Sequence, residues 1–179
     1  MFNNSIYVIG LMSGTSLDGL DICLVSFSKS NYRNYNILHA KTYNYNKIWI
    51  KKLKEAVLLN DKQIDKLDKD FGKLLSDYVK KFINEFSITK VDLISSHGHT
   101  IFHEPKKGIT LQIGNGETIN NNTKIDVVSD FRTQDIDYKG EGAPLVPIGD
   151  LNLFNEYKYC LNLGAVSYTH LTLPTILLV

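Results

Sequence analysis

The stretch "GLMSGTSLDGLD", Gly10–Asp21, lies between two apolar runs, "IYVI" (Ile6–Ile9) and "ICLVSF" (Ile22–Phe27). Each run has strand length and is rich in β-branched or aromatic residues. A plain hairpin needs only about two turn residues. Here the runs are separated by a long segment of small, hydroxyl-bearing and acidic residues. Such a turn presents backbone N–H groups and short hydroxyl donors to one point, and its glycines let the backbone approach a large anion. Asp18 and Asp21 fit beside a phosphate only if they hold a hydrated Mg²⁺ or orient a nucleophile or water. The plainer alternative is an Asx-rich loop that satisfies its own N–H groups. The pattern is neither a Walker motif nor a Gly-x-Gly-x-x-Gly turn before a helix.

Outward from this turn, strands are expected at 5–10, 20–28 and 34–43, as an antiparallel meander. Apolar residues at helical spacing predict helices over 47–59 and 62–86, with Asn60 and Asp61 as cap residues between them. "VDLISS" (Val91–Ser96) and "GITLQIG" (Gly108–Gly114) read as strands. A short helix is expected at 115–122, a strand at 124–128, a loop at 129–142, a helix at 143–155 and a strand at 157–164. This order predicts an α/β fold with a mixed sheet and helices packed on it.

The 179 residues carry a formal net charge of +1, with 43% hydrophobic residues. That suits one globular domain, and nothing in the charge balance points to nucleic acid or an anionic membrane. Cys23 and Cys160 fall in expected strands without a Cys-x-x-Cys pair, which favours buried thiols over a disulfide or zinc site. Neither a signal peptide nor an apolar run of about 20 residues is seen, so a cytoplasmic protein is expected.

Two further segments are dense in chemistry. "SSHGHTIFHEP" (Ser95–Pro105) follows an expected buried strand, where ligands bind in open α/β sheets. His97, beside Gly98 at the expected strand exit, is its best candidate for binding or acid–base work; His99, His103 and Glu104 are weaker. Their spacing lacks zinc-helix geometry. "SDFRTQDIDYKGEGAPLVPIGD" (Ser129–Asp150) offers Asp130, Arg132, Asp135 and Glu141. An Arg fork suits a carboxylate or phosphate, and Asp accepts from sugar hydroxyls. The alternative is a solvated loop whose charges pair locally.

Together with "LQIGNGETI" (Leu111–Ile119), these motifs occur in the order seen in anhydro-N-acetylmuramic acid kinases, which residues 5–164 resemble throughout. The resemblance implies an actin-like ATPase and sugar-kinase fold of two ribonuclease-H-like domains closing around ATP and substrate, with residues 1–164 forming the N-terminal one. It implies that Gly14, Thr15, Ser16, Leu17, Asp18, Gly19, Leu20 and Asp21 face the ATP phosphates, with Asp18 and Asp21 near Mg²⁺. It assigns sugar contacts to His97, Gly98, Asp130, Arg132, Asp135 and Glu141. The family reaction uses water to open the 1,6-anhydro ring while ATP phosphorylates O6, giving N-acetylmuramic acid 6-phosphate. The base that activates this water sits in an Asp-Thr-Gly-Pro-Gly-Asn motif absent from this sequence, so the chain alone is expected to be inactive. A homodimer is the family habit. His99 and Glu141 stand where many members have Gln.

The end of the chain, "VSYTHLTLPTILLV", fits none of this. Translated backwards, Val166–Thr175 reads as the transposon end and linker of common sequencing libraries. Residues 165–179 are therefore expected to be non-native, the alternative being one last strand. Two other functions compete with the kinase: a non-catalytic nucleotide- or anion-binding domain that keeps the hairpin, and a hydrolase using Ser13 or Ser16 with a His and an Asp. The latter lacks a Gly-x-Ser-x-Gly elbow.

Overall fold

The computed structural model describes residues 4–162 and 168–171. Strands β1 (Ser5–Ser13), β2 (Gly19–Ser28) and β3 (Tyr35–Asn44) form the expected antiparallel meander. β4 (Leu93–Glu104) joins β1 in parallel, with Val8 opposite Leu93 and Leu11 opposite Ser96. Two strands share its other edge. β6 (Val127–Ser129) pairs in parallel with the first half of β4, and β5 (Ile109–Ile113) pairs antiparallel with the second half. The order is β3-β2-β1-β4-β5, with β6 on β4. It is a mixed sheet of the expected α/β class.

One face of this sheet makes the core. Ile9 and Leu11 of β1, Leu20, Ile22 and Leu24 of β2, and Ile94 of β4 are all buried. Their alternation aims them at α2 (Asp61–Glu85), whose buried residues Leu67, Phe71, Leu75, Val79 and Phe82 recur at helical spacing. Burying side chains of this size is worth about 1.5–3 kcal/mol each. Asn60 starts α2 through a capping box: its side chain accepts from Gln63 N, and the Gln63 side chain accepts from Asn60 N. The helix expected over 47–59 is α1 (Lys47–Glu55) followed by a tighter turn at Ala56–Leu58. α3 (Gly116–Thr123) is capped by Asn115 and packs on α2.

Four expectations are corrected. First, the polar turn is short. β1 and β2 stay paired out to Ser13–Leu20, leaving residues 14–18, because Leu11, Ser13 and Leu20 continue the buried alternation into the polar segment. Second, β4 does not end at Ser96 but runs to Glu104, because β5 supplies it with a partner. Third, the 129–142 loop contains α4 (Thr133–Asp137), and the helix expected over 143–155 is α5 (Val146–Leu153). Fourth, the strand expected over 157–164 is β7 (Tyr159–Asn162) and does not join the main sheet. It pairs with β8 (Tyr168–Leu171) in a separate two-stranded sheet. Tyr159 and Leu161 are exposed, so no part of the core holds β7. β8 lies within the segment expected to be non-native; residues 163–167 and 172–179 lie outside the described residues.

Candidate functional site

β1, β4 and β6 run parallel, so the segments that follow Ser13 and Ser129, and the middle of β4, meet at one edge. Ligands of open α/β sheets sit beyond such carboxyl ends. At this edge, Leu17 closes the 14–18 turn by donating its N–H to Gly14 O at 3.3 Å, in a left-handed conformation with φ 61°. No internal acceptor is found for the amides of Thr15 and Ser16, and both residues are exposed. The Ser16 hydroxyl donates to Asp18 at 2.8 Å. That bond, aided by backbone amides, holds the Asp18 carboxyl below its ordinary value.

The other members of the expected phosphate set are placed differently. Gly19 and Leu20 are buried in β2, where a Cβ at Gly19 would lie 2.6 Å from Tyr43 O. Asp21 is three residues beyond Asp18, on β2 opposite Met12, and accepts from the Thr42 hydroxyl at 2.5 Å. It lines an open cavity of about 670 Å³ on the sheet face away from α2. Asp18 belongs to the turn, and Asp21 to the strand.

The histidine-rich stretch is split by a bulge. Leu11 faces Ser96 and Ser13 faces His99, so two steps of β1 match three of β4. Gly98 takes up the extra residue with φ 70°, and a Cβ there would sit 2.4 Å from Ile113 O. The bulge returns His99 to the buried face of Ser96 and leaves His97 on the opposite one. His99 is only 4% exposed, with its Nδ1 3.0 Å from Ser13 Oγ. Tyr45 OH donates to the same Oγ at 2.8 Å. Ser13, His99 and Tyr45 therefore form one buried chain, in which the imidazole tautomer sets whether Ser13 Oγ or His99 Nδ1 donates. Burial lowers the His99 pKa and pushes the Tyr45 pKa far up.

This buried chain was not anticipated from the sequence. It resembles the Ser–His pair of a hydrolase, but Ser13 is 2% exposed and no acid among the described residues is found bonded to His99. His103 and Glu104 lie on the exposed end of β4, bonded to Thr110 and Lys107. Among the described residues, no group of three His, Cys, Asp or Glu side chains is set to hold a metal.

On the other face, His97 meets Arg132. The guanidinium donates from Nε at 3.1 Å and from Nη2 at 2.9 Å to His97 Nε2, and from Nη1 at 2.5 Å to Gly142 O. Arginine can only donate, so His97 Nε2 accepts and Nδ1–H points to Gly98 O at 3.1 Å. Burial, and the cation beside it, keep His97 below its ordinary pKa. Asp130 and Asp135 turn inward on the loop: Asp130 accepts from Thr133 N at 3.2 Å, and Asp135 from Gly142 N at 2.6 Å. Glu141 is exposed. The structure thus brings His97, Gly98, Asp130 and Arg132 together, makes Asp135 a clamp on the 140–142 turn, and leaves Glu141 at the rim.

Beside this cluster is a polar cavity of about 260 Å³, lined by Ser96, Gly98, Asp68, Gln112 and Asp130 among others. Asp68 on α2 holds its far wall, accepting from Gly114 N at 2.7 Å and from the Asn115 side chain at 3.1 Å. Ser96 is fully buried, and its hydroxyl finds no partner. An unsatisfied buried hydroxyl costs about 1–3 kcal/mol, so Ser96 is an unusual residue to find in the wall of a polar cavity. Asp68, Ser96 and Gln112 were not foreseen as site residues. The available signal was the period-two alternation in "LISS", which puts Ser96 on the face of Ile94.

A family model described as anhydro-N-acetylmuramic acid kinase matches residues 6–176. The anhydro-N-acetylmuramic acid kinase of Shewanella pealeana is 37% identical over 174 residues, covering 92% of this chain and 46% of that protein. That of Bacillus thuringiensis subsp. konkukian is 34% identical over 175 residues, covering 90% and 46%. The chain spans about half the length of the curated relatives it matches. On the extent of the family match and the identity to these relatives, the chain belongs to the anhydro-N-acetylmuramic acid kinase family.

Proposed function

We propose that this chain supplies the phosphate turn and most of a sugar site to an ATP-dependent kinase. That kinase hydrolyses the 1,6-anhydro bond of anhydro-N-acetylmuramic acid and phosphorylates O6, giving N-acetylmuramic acid 6-phosphate. The observation that carries the reading is the convergence of the 14–18 turn and the Arg132 cluster on one sheet edge. The strand order also suits a ribonuclease-H-like domain of the actin-like ATPase superfamily, in which such an edge faces a second domain.

The turn fits the phosphates of ATP. The amides of Thr15 and Ser16 are exposed donors for which no acceptor is found among the described residues. Asp18, kept ionised by Ser16, fits a hydrated Mg²⁺. Asp21 bonds to Thr42 instead and supports the strand from which the turn projects. Bound Mg²⁺ and ATP supply charge neutralisation and the transferred phosphoryl group, in a reaction that asks mainly for positioning. Water adds to C1 of the sugar, the C1–O6 bond breaks, and O6 takes the phosphoryl group. Neither histidine serves as the base for that water: both His97 nitrogens are occupied, and His99 is buried with its Nδ1 bonded to Ser13. The resemblance assigns the base to an Asp in the Asp-Thr-Gly-Pro-Gly-Asn motif, outside this sequence.

The test is to follow ADP release and sugar phosphate formation by the full-length gene product, beside an Asp18→Asn variant. Asp18→Asn is expected to lower kcat at least about tenfold, equivalent to about 1.4 kcal/mol of transition-state stabilisation, with little change in sugar KM. No phosphorylation by the parent protein, or an unchanged kcat in the variant at saturating Mg²⁺-ATP, would overturn the reading.

A further inference from the structure

Three bonds tie the turn after β5 to a single residue of α2. The Asp68 side chain accepts from Gly114 N at 2.7 Å and from Asn115 Nδ2 at 3.1 Å. Its main-chain oxygen accepts from Asn115 N at 3.3 Å. Asn115 is fixed from its other side, because its Oδ1 accepts from Thr118 N and Thr118 Oγ1, each at 2.8 Å. Its amide therefore has one orientation, with the donor toward Asp68. The packing is equally close. A Cβ at Gly72, one turn along α2 from Asp68, would lie 2.9 Å from Asn115 O. A Cβ at Gly116 would lie 2.5 Å from the hydroxyl of Ser129, the last residue of β6. The 114–116 turn is thus held between α2 and the point where the Arg132 loop begins. Asp68, Asn115, Gly116, Ser129, Asp130 and Thr133 all line the polar cavity of about 260 Å³.

We propose that Asp68 is a positioning residue for the sugar substrate. Its carboxylate sets where the 114–116 turn stands and, through Ser129, where the 130–133 segment stands. The role rests on the sugar-kinase reading above and adds to it a residue of α2, far in sequence from the other site residues. What the role requires is the direction of each bond, and that can be exchanged between the two partners. Asp68→Asn turns one accepting oxygen into an amide donor that faces the Asn115 amide, so two donors meet. Asn115→Asp sets two carboxylates against each other. Made together, the two changes swap donor and acceptor. The amide at position 68 then donates to the carboxylate at position 115, which still accepts from Thr118. The remaining oxygen at position 68 still accepts from Gly114 N.

The experiment compares the full-length gene product with Asp68→Asn, Asn115→Asp and the double variant. Steady-state kinetics vary anhydro-N-acetylmuramic acid and Mg²⁺-ATP in turn, beside calorimetric titration of the sugar and urea unfolding. A binding wall displaced by about 1 Å can cost up to about a hundredfold. The main-chain bond from Asn115 N to Asp68 O survives every substitution, so each single variant is expected to raise the sugar KM and Kd about tenfold. The kcat and the KM for ATP should stay within about twofold, the signature of lost ground-state positioning. The double variant should return to within about threefold of the parent. A loss of urea stability with an unchanged sugar KM would make Asp68 a structural brace and overturn the proposal. So would a parallel rise in both KM values, or a double variant no better than the single ones. A parent protein whose sugar Kd follows this pattern yet which transfers no phosphate would leave the positioning role standing and overturn the kinase reading. One that does not bind the sugar would overturn both.

Discussion

Replacing Ser13 by Ala tests the buried chain that ties the 14–18 turn to β4. The Ser13 hydroxyl accepts from Tyr45 and is bonded to His99 Nδ1, and the three residues are 2%, 5% and 4% exposed. Its loss strands two buried polar groups, each costing about 1–3 kcal/mol. Partial relaxation brings the expected destabilisation of Ser13→Ala to about 3 kcal/mol. Tyr45→Phe removes only one donor and leaves the Ser13–His99 bond intact, so about 1 kcal/mol is expected. The double variant should lose less than the sum, because the hydroxyl stranded by Ser13→Ala is then absent. Trp49 is the protein's single tryptophan and packs on Phe71, which also touches the Tyr45 and His99 rings. Its fluorescence during urea unfolding reports the region directly. A Ser13→Ala cost below about 0.5 kcal/mol, or strict additivity in the double variant, would refute the reasoning, since surface-like behaviour has that size.

Two further perturbations follow from the same strand. Gly98→Ala places a methyl group 2.4 Å from Ile113 O at φ 70°. The left-handed backbone alone costs about 1–2 kcal/mol, so urea melts should show a loss above that range, and a loss under about 1 kcal/mol would count against the bulge. His97 and His99 have folded pKa values lowered by burial. The unfolded chain then binds protons first, so the stability they contribute is complete above the ordinary value of about 6.5 and is lost as pH falls below it. His99→Gln should flatten the fall in stability just below about pH 6.5, where one proton difference is worth up to about 1.4 kcal/mol per pH unit. An unchanged slope in urea titrations would show that His99 is not held neutral by the fold.

The elements governed by periodicity were legible. α2 follows from apolar spacing and from Asn60, whose capping box the structure contains. The meander follows from three alternating runs around Gly- and Asn-rich turns. The length of β4 was not legible, because "SSHGHT" has the polarity of a loop. It remains a strand because β5 pairs with it and because one bulge sends His99 inward to a buried hydroxyl. The strand at Tyr159–Asn162 could be recognised, but its partner could not, since alternation carries no information about which edge a strand joins. At the site, the polar turn at residues 14–18 was visible from composition. The pairing of His97 with Arg132 spans 35 residues and depends on the parallel register of β4 and β6. No local pattern in the sequence encodes that register.

The bulge at Gly98 gives β4 its place in the proposed chemistry. Strict alternation would put His97 and His99 on the same face of the sheet. The extra residue sets them on opposite faces instead. His97 holds Arg132 and, through it, the Gly142 turn, whereas His99 holds Ser13 at the start of the 14–18 turn. Two loops that would grip different parts of the reactants are therefore anchored within three residues of one strand. His97 has both ring nitrogens engaged and His99 is buried, which suits a reaction that depends on positioning. A disturbance of the bulge should then move both loops together. In Gly98→Ala, sugar-acid affinity and turnover should fall jointly, whereas Ser13→Ala should leave the Arg132 side of the site able to bind the sugar acid. A Gly98→Ala protein that lost only one of the two properties would show that the loops are held independently of the bulge.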